Sequence, residues 1–217
     1  MVQSLNLAAL SSTFRLIRNP SLLVPHIIVP DIRSLNFTAL HAANVTALVF
    51  DKDNTLTAPY VVGIHPPFRG AWRECLGVYG REGVVVVSNS AGTGDDVGGA
   101  KAREVEKTLG VNVLRHNTKK PAGGSALPTH LSVPPAQIGV IGDRLLTDVV
   151  YGNSAGLLTV LVTKIVTEEG DNPFAAMVRR LEHPLLNFLH ARGVKPPPHP
   201  AMAHPASAEF VRSVADS

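Results

Sequence analysis

Ala47-Leu48-Val49-Phe50-Asp51-Lys52-Asp53-Asn54-Thr55-Leu56-Thr57 decides how this chain is read. An apolar run suited to a buried strand passes straight into two carboxylates set two positions apart, followed by small polar residues. Acids at the carboxyl end of a buried strand are costly to desolvate, so a pair there points to a cation or a reacting phosphate that offsets the charge. Phosphoryl chemistry is the reading that follows.

Working outward, apolar runs at 45–50, 84–88, 111–114, 138–141 and 157–162 read as strands of a parallel sheet, with helical or turn-rich segments between most of them. Phe68, Trp72, Cys75, Leu76 and Tyr79 share one helix face, and Val97, Val105 and Leu109 lie in a segment that Gly110 stops. The alternation predicts a doubly wound, Rossmann-like α/β fold, whose ligands gather beyond the carboxyl ends of the strands. Polar residues collect there. Asp51 and Asp53 follow the first run, Ser88, Asn89 and Ser90 the second, Lys119 and Lys120 the third, and Asp143 and Asp148 the fourth.

Downstream, Phe174, Met177, Val178, Leu181, Leu185, Phe188 and Leu189 predict an amphipathic helix, bent at Pro184 and packed on the sheet. From Lys195 the prolines, with His199 and His204, read as an extended arm whose histidines lack metal-ligand spacing. Gly92-Thr93-Gly94, with Gly98 and Gly99, does not have the spacing of a dinucleotide loop, and Asp95 and Asp96 stand where a pyrophosphate needs bare amides. These glycines are expected to let their loop pass close to the phosphate site.

The 217 residues are 45% hydrophobic, enough for one good core. The single cysteine, Cys75, excludes an internal disulfide and a cysteine-rich zinc site, and is expected to be a small packed side chain. A net charge of +3 with scattered basic residues argues against nucleic acid as partner and favours a negatively charged small molecule or membrane surface. No apolar run reaches the roughly 18 to 20 residues of a bilayer span. Before Asp31 there is no acid: Ser4, Ser11, Arg15 and Arg18 form one narrow stripe, with Leu5, Leu7, Leu10, Phe14, Leu16 and Ile17 around it. Such a segment fits a membrane interface, an organelle import signal or a helix packed on the protein's own core. The chain therefore divides into an amphipathic, membrane-associating segment (1–40), a phosphatase domain (41–192) and a proline-rich arm (193–217).

Taken together, Asp51-Lys52-Asp53-Asn54-Thr55, Ser88-Asn89-Ser90, Lys120 before Pro121, and Gly142-Asp143-Arg144-Leu145-Leu146-Thr147-Asp148 resemble, in order, the four motifs of the haloacid dehalogenase (HAD) superfamily of aspartate-dependent phosphatases. A carboxylate and a phosphate monoester repel, so attack needs a cation between them, and hard, octahedral Mg2+ suits carboxylates and phosphate. The resemblance implies that Asp51 attacks phosphorus to form an aspartyl-phosphate, while Asp53 serves as general acid and then base. Asp51, Asp53 (through its backbone carbonyl), Asp143 and Asp148 would make up the metal site, Asp148 as an orienting group. Ser88 and Asn89, with Thr55, would hold the phosphoryl oxygens, and Lys120, at the family's position before proline, would neutralise charge in the transition state. The intervals between motifs leave no room for a cap domain, so the enzyme is expected to be capless.

A closer resemblance rests on Arg18-Asn19-Pro20-Ser21-Leu22, Pro25-His26 and Val29-Pro30 together with the first and fourth motifs. These are similar to the mitochondrial phosphatidylglycerophosphate phosphatases of fungi and plants. That family implies removal of the terminal phosphate from an anionic phospholipid to give phosphatidylglycerol, on the route to cardiolipin, by a peripheral protein at the matrix side of the mitochondrial inner membrane. Lys52 and Asn54 stand where many superfamily members have an apolar residue and glycine. Lys52 is expected to meet a second anionic group such as the lipid's bridging phosphate, with a plain surface contact as the alternative. Arg69 and Arg144 are further headgroup candidates. The competing functions are a soluble phosphatase for a small monoester and a noncatalytic lipid-binding protein that kept the fold. A greasy amino helix is also compatible with a homo-oligomer.

Overall fold

The computed structural model describes residues 16–167 and 173–213, so the first fifteen residues of the amphipathic amino segment, including Ser4, Ser11 and Arg15, lie outside the described residues. Six strands form one all-parallel sheet: β1 (Ile27–Val29), β2 (Ala47–Phe50), β3 (Val84–Val86), β4 (Asn112–Val113), β5 (Ile138–Gly142) and β6 (Leu158–Val162). Their order is β1-β6-β5-β2-β3-β4. From β2 the chain steps outward through β3 and β4, then returns to place β5 and β6 on the other side. The chain thus reverses direction between β2 and β5, the point where open α/β sheets present a crevice.

The central strands are apolar at every position because both faces of the sheet are covered. Leu48 and Phe50 pack with Trp72, Cys75 and Tyr79 of the helix Arg69–Tyr79 and with Ala102, Val105 and Leu109 of the helix Ala100–Leu109. Ala47 and Val49 point the other way, onto Leu127 and Tyr151. Alternate residues of one strand thereby serve two helix layers. Cys75 is fully buried in the first layer, and burial pushes its thiol well above the ordinary range.

The structure departs from the sequence-based expectation at both ends. Five strands were expected; the sixth, β1, lies inside 1–40, where three residues between Pro25 and Pro30 are too few to show a pattern. The carboxyl arm is docked rather than merely extended. It forms a short helix (Pro200–Ala203) and a 3-10 helix (Pro205–Glu209), buries Phe210 in the core beside Leu35 and Phe37, and pairs Leu35 with Val211. His26 joins the ends: its ring meets Thr159 Oγ1 at 2.9 Å and the Pro197 carbonyl at 2.8 Å. Residues outside 41–192 thus complete the same core.

The expected amphipathic helix exists over Pro173–Ala191 with Pro184 inside it, but its inward face is not the apolar one anticipated. Arg179, Glu182, Leu186 and Leu189 are buried, whereas Met177, Leu181 and Phe188 stand on the opposite side, exposed. Two polar residues take the inner face because each has a partner there. Arg179 reaches Asp143, and Glu182 Oε1 accepts from the Leu146 backbone N–H at 2.8 Å.

Candidate active site

The site lies at the β2/β5 reversal. Phe50 is in register with Ile141, and the Asp51 N–H donates to the Ile141 carbonyl at 2.9 Å, which fixes where the strand ends and the acid begins. Asp143 follows β5 directly. Asp148 sits one turn on, in the π-helical turn Leu145–Val149, and its Oδ2 accepts from the Arg144 N–H at 3.1 Å. Gly142 makes that turn possible: a Cβ there would lie 2.3 Å from Asp148 Cγ. Carboxylate oxygens of Asp51, Asp143 and Asp148 lie within 4.8 Å of one another.

Two cations compensate this negative cluster. Lys120 Nζ lies 2.5 Å from Oδ1 of Asp51 and 2.5 Å from Oδ1 of Asp148. Its backbone N–H donates to Asn89 Oδ1 at 2.9 Å, so Asn89 positions the lysine, and the Lys120-Pro121 peptide is cis. Arg179, from the distant helix, places Nη2 at 2.7 Å and Nε at 3.0 Å from Asp143 Oδ2. Burial raises Asp51 most, Lys120 pulls it down, and Asp148 pushes it back up, leaving it at about 6. Burial, then the charges of Asp51 and Asp148, push Asp143 up to about 8 in spite of Arg179. For Lys120 burial works downward, but Asp148 and Asp51 outweigh it and hold the ammonium above its ordinary range.

Asp53 is half-buried beside the cluster. Lys52 Nζ and the Tyr60 N–H, at 2.9 Å, fix its Oδ1, and Ser90 Oγ donates to Oδ2 at 3.3 Å. Ser88 is buried and its Oγ accepts from the Ser90 N–H at 3.1 Å. A cavity of about 190 Å³ opens over these groups, lined by Asp51, Asp53, Ser88, Asn89, Lys120, Asp143 and Asp148 together with Pro59, Tyr60, Arg144 and Arg179. Clefts that bury a drug-sized ligand run to roughly 300 to 1,000 Å³. This one is smaller, with room for a group of about phosphate size.

The structure therefore gathers seven of the expected site residues around one cavity and leaves two out. Lys52 is buried, and its ammonium is consumed within its own loop by Asp53, the Val61 carbonyl at 3.0 Å and Thr57 Oγ1 at 3.4 Å. It is a counter-cation for Asp53 and does not face the cavity, which corrects the expectation that it meets a second anionic group. Strand-like alternation sends residue 52 to the side opposite 51 and 53, a signal present in the sequence. Thr55 is also buried outside the cavity lining, its Oγ1 without a hydrogen-bond partner among the described residues. Lys119 is exposed and pairs with Asp95, so Lys120 is the inward lysine. Arg144 lines the cavity; Arg69 is exposed and does not. Asn54 stands at φ 63°, a left-handed conformation that asparagine tolerates. Gly92 and its neighbours do not border the phosphate cavity: Gly92 lies against the Leu114 carbonyl, where a Cβ would sit 2.5 Å away, and Asp96 caps the next helix through Lys101 and Ala102.

Three hard carboxylates, hydrogen-bonded here by Lys120 and Arg179, form an oxygen donor set that fits a hard divalent cation. Asp51, Asp143 and Asp148 are the residues that would hold it. Fold and site together define a phosphatase of the HAD type, capless and built on a doubly wound parallel sheet. The chain belongs to the family described as Mitochondrial PGP phosphatase, whose model matches residues 7–167. It is 41% identical to a phosphatidylglycerophosphate phosphatase 1, named chloroplastic, of Chlamydomonas reinhardtii, over 97% of this chain and 78% of that one. It is 40% identical to the Arabidopsis thaliana counterpart, named chloroplastic/mitochondrial, over 87% of this chain and 54% of that one. With the phosphatidylglycerophosphatase of Saccharomyces cerevisiae, named mitochondrial, identity is 31% over 85% of this chain and 99% of the relative. Among the described residues no helix is long and apolar enough to cross a membrane.

Proposed function

We propose that this protein is a Mg2+-dependent phosphatase that removes the terminal phosphate of phosphatidylglycerophosphate and yields phosphatidylglycerol for cardiolipin synthesis. It works as a peripheral protein on the matrix side of the mitochondrial inner membrane. The observation that carries the chemistry is the placement of Asp51 at the tip of β2, in contact with Lys120 and within ligand distance of Asp143 and Asp148. Family membership supplies the substrate.

Asp51 is the nucleophile: its free oxygen attacks phosphorus in line and an aspartyl-phosphate forms while the glycerol oxygen departs. Asp53, held at Oδ1 by Lys52 and Tyr60, turns Oδ2 to the cavity side and transfers a proton to the leaving oxygen, then takes one from the hydrolytic water. Lys120 stays within reach of Asp51 and stabilises charge that spreads onto the equatorial phosphoryl oxygens. Ser88 and Asn89 border the same space and donate hydrogen bonds to the phosphoryl oxygens. When bound, the divalent ion supplies Lewis acidity and removes the repulsion between carboxylate and phosphate.

The small cavity fits a substrate whose bulk remains in a membrane. Phosphate release from phosphatidylglycerophosphate in detergent micelles tests the reading: it is expected with Mg2+, and absent with EDTA or in Asp51→Asn. Hydrolysis of soluble sugar or nucleotide phosphates with no release from the lipid would overturn the substrate and leave the chemistry standing.

A further inference from the structure

The helix Pro173–Ala191 has two faces with different business. One holds Arg179 against Asp143. The other carries Met177, Leu181 and Phe188, which are 52%, 64% and 52% exposed. At 100° per residue these three, four and seven positions apart, fall within about 40° of one another and on the side away from Arg179, Leu186 and Leu189. A single exposed leucine needs no explanation, but three large apolar side chains in one stripe do.

Among the described residues the charge next to the stripe is positive, while Glu168, Glu169 and Asp171 precede the helix in the sequence. Arg180 and Arg192 flank it, Lys195 follows, and the helix's only acid, Glu182, is buried against the Leu146 amide. Arg192 stacks over the Phe188 ring, 4.7 Å from its centroid, so the cation lies level with the aromatic face. Ile17, 72% exposed, stands next to Leu16, which packs in the same cluster as Leu185 and Leu189. Tyr60, which also lines the cavity, is 68% exposed, an aromatic with a polar tip of the kind that seats at a headgroup boundary.

We propose that the outer face of this helix, Met177, Leu181 and Phe188 between Arg180 and Arg192, is the surface by which the protein sits on an anionic lipid layer. This rests on the lipid-phosphatase reading and adds to it the element that docks, one that lies beyond the residues matched by the family model. Charge selects the occupant. A stripe of three apolar side chains exposes on the order of 300 Å², short of the roughly 800 Å² per partner of a standard protein interface, but enough for shallow insertion when arginines meet anionic headgroups. Docking through this helix brings the lipid layer to the element that lines the cavity with Arg179, so a headgroup can enter while its acyl chains stay in place.

The test uses the full chain floated with phosphatidylcholine vesicles with and without a third phosphatidylglycerol. Leu181→Asp/Phe188→Asp is expected to lose at least tenfold in partition onto the anionic vesicles while turning over p-nitrophenyl phosphate like the parent. Arg180→Gln/Arg192→Gln is expected to remove the preference for anionic over neutral vesicles. Because Cys75 is fully buried, Leu181→Cys accepts an environment-sensitive dye selectively, and its emission is expected to shift to the blue on anionic vesicles. Unchanged flotation of the Asp variant, or an unshifted dye, would overturn the proposal. So would a wild-type dimer in sedimentation that the Asp variant splits without loss of vesicle binding, since the stripe would then belong to a second copy. Failure of the wild type to hydrolyse the lipid in micelles would overturn the enzymatic reading instead, and the flotation result would still stand or fall by itself.

Discussion

Arg179 Nη2 lies 2.7 Å from Asp143 Oδ2, and both side chains are almost wholly buried although 36 residues separate them. The guanidinium holds Asp143 Oδ2, one of the two oxygens this acid could offer a divalent ion. Arg179→Ala is therefore expected to have opposite effects with and without metal. The metal-free protein loses its counter-cation for a buried acid and melts several degrees lower. Mg2+ then meets no competitor, and the midpoint of its stabilising effect moves to severalfold lower concentration. Melting temperature against Mg2+ concentration reads both, and a weaker Mg2+ midpoint in the variant would show that Arg179 is not a competitor.

Lys120 serves Asp51 and Asp148 at once, so its removal strands two buried carboxylates. Lys120→Met is expected to lower kcat on a soluble monoester by about 10²- to 10³-fold, the usual loss when a group stabilising transition-state charge is deleted. Single-turnover phosphate release measures it, with circular dichroism to confirm that the fold survives.

The acids also set a pH dependence. Asp51 at about 6 and Asp143 at about 8 must both be ionised to bind a cation, so Mg2+ affinity is expected to rise from pH 6 to pH 8 and binding to release protons. Calorimetry in two buffers of different ionisation enthalpy counts the protons. No buffer dependence at pH 7 would contradict the arrangement.

Asp51 weakens the metal-free fold that carries it. Its folded pKa of about 6 exceeds the ordinary 3.8, so the folded state binds more protons between those values and stability falls as pH rises through that window. Asp51→Asn removes the penalty. Without metal its melting temperature is expected to exceed the parent's by a few degrees at pH 7.5 and to match it near pH 4.

Lys52 gives the last test. Bound to Asp53, Thr57 and the Val61 carbonyl, it organises the loop and grips no substrate. Lys52→Met is expected to lower kcat equally for a lipid and a soluble monoester, with KM for both near the parent's. A rise in KM confined to the lipid would return the residue to the headgroup.

The rim of the site was legible because a sheet covered on both faces makes its strands continuous apolar runs, and the residue after each run is a functional position by geometry. Asp51 and Asp143 come from that rule, whereas Lys120 was separated from Lys119 only by its place before Pro121, the position the family resemblance marks. β1 was not legible, since a three-residue strand between prolines has no period to read. Arg179 was hidden for another reason: its partner is remote in sequence, and the apolar stripe on the opposite face dominated the helical pattern. The spacing of Arg179 and Glu182 with Leu186 and Leu189 was the available clue, because polar residues in line with buried leucines need partners inside.

Phe210 and β1 have a practical meaning for anyone who handles this protein. A fragment trimmed to 41–192 would open a hole where the Phe210 ring sits and strip the neighbour from β6, leaving an unpaired strand edge. Shortened versions made for crystallography or labelling are expected to clump unless the cut falls outside both segments, and a bulky tag belongs well clear of the last helical turn.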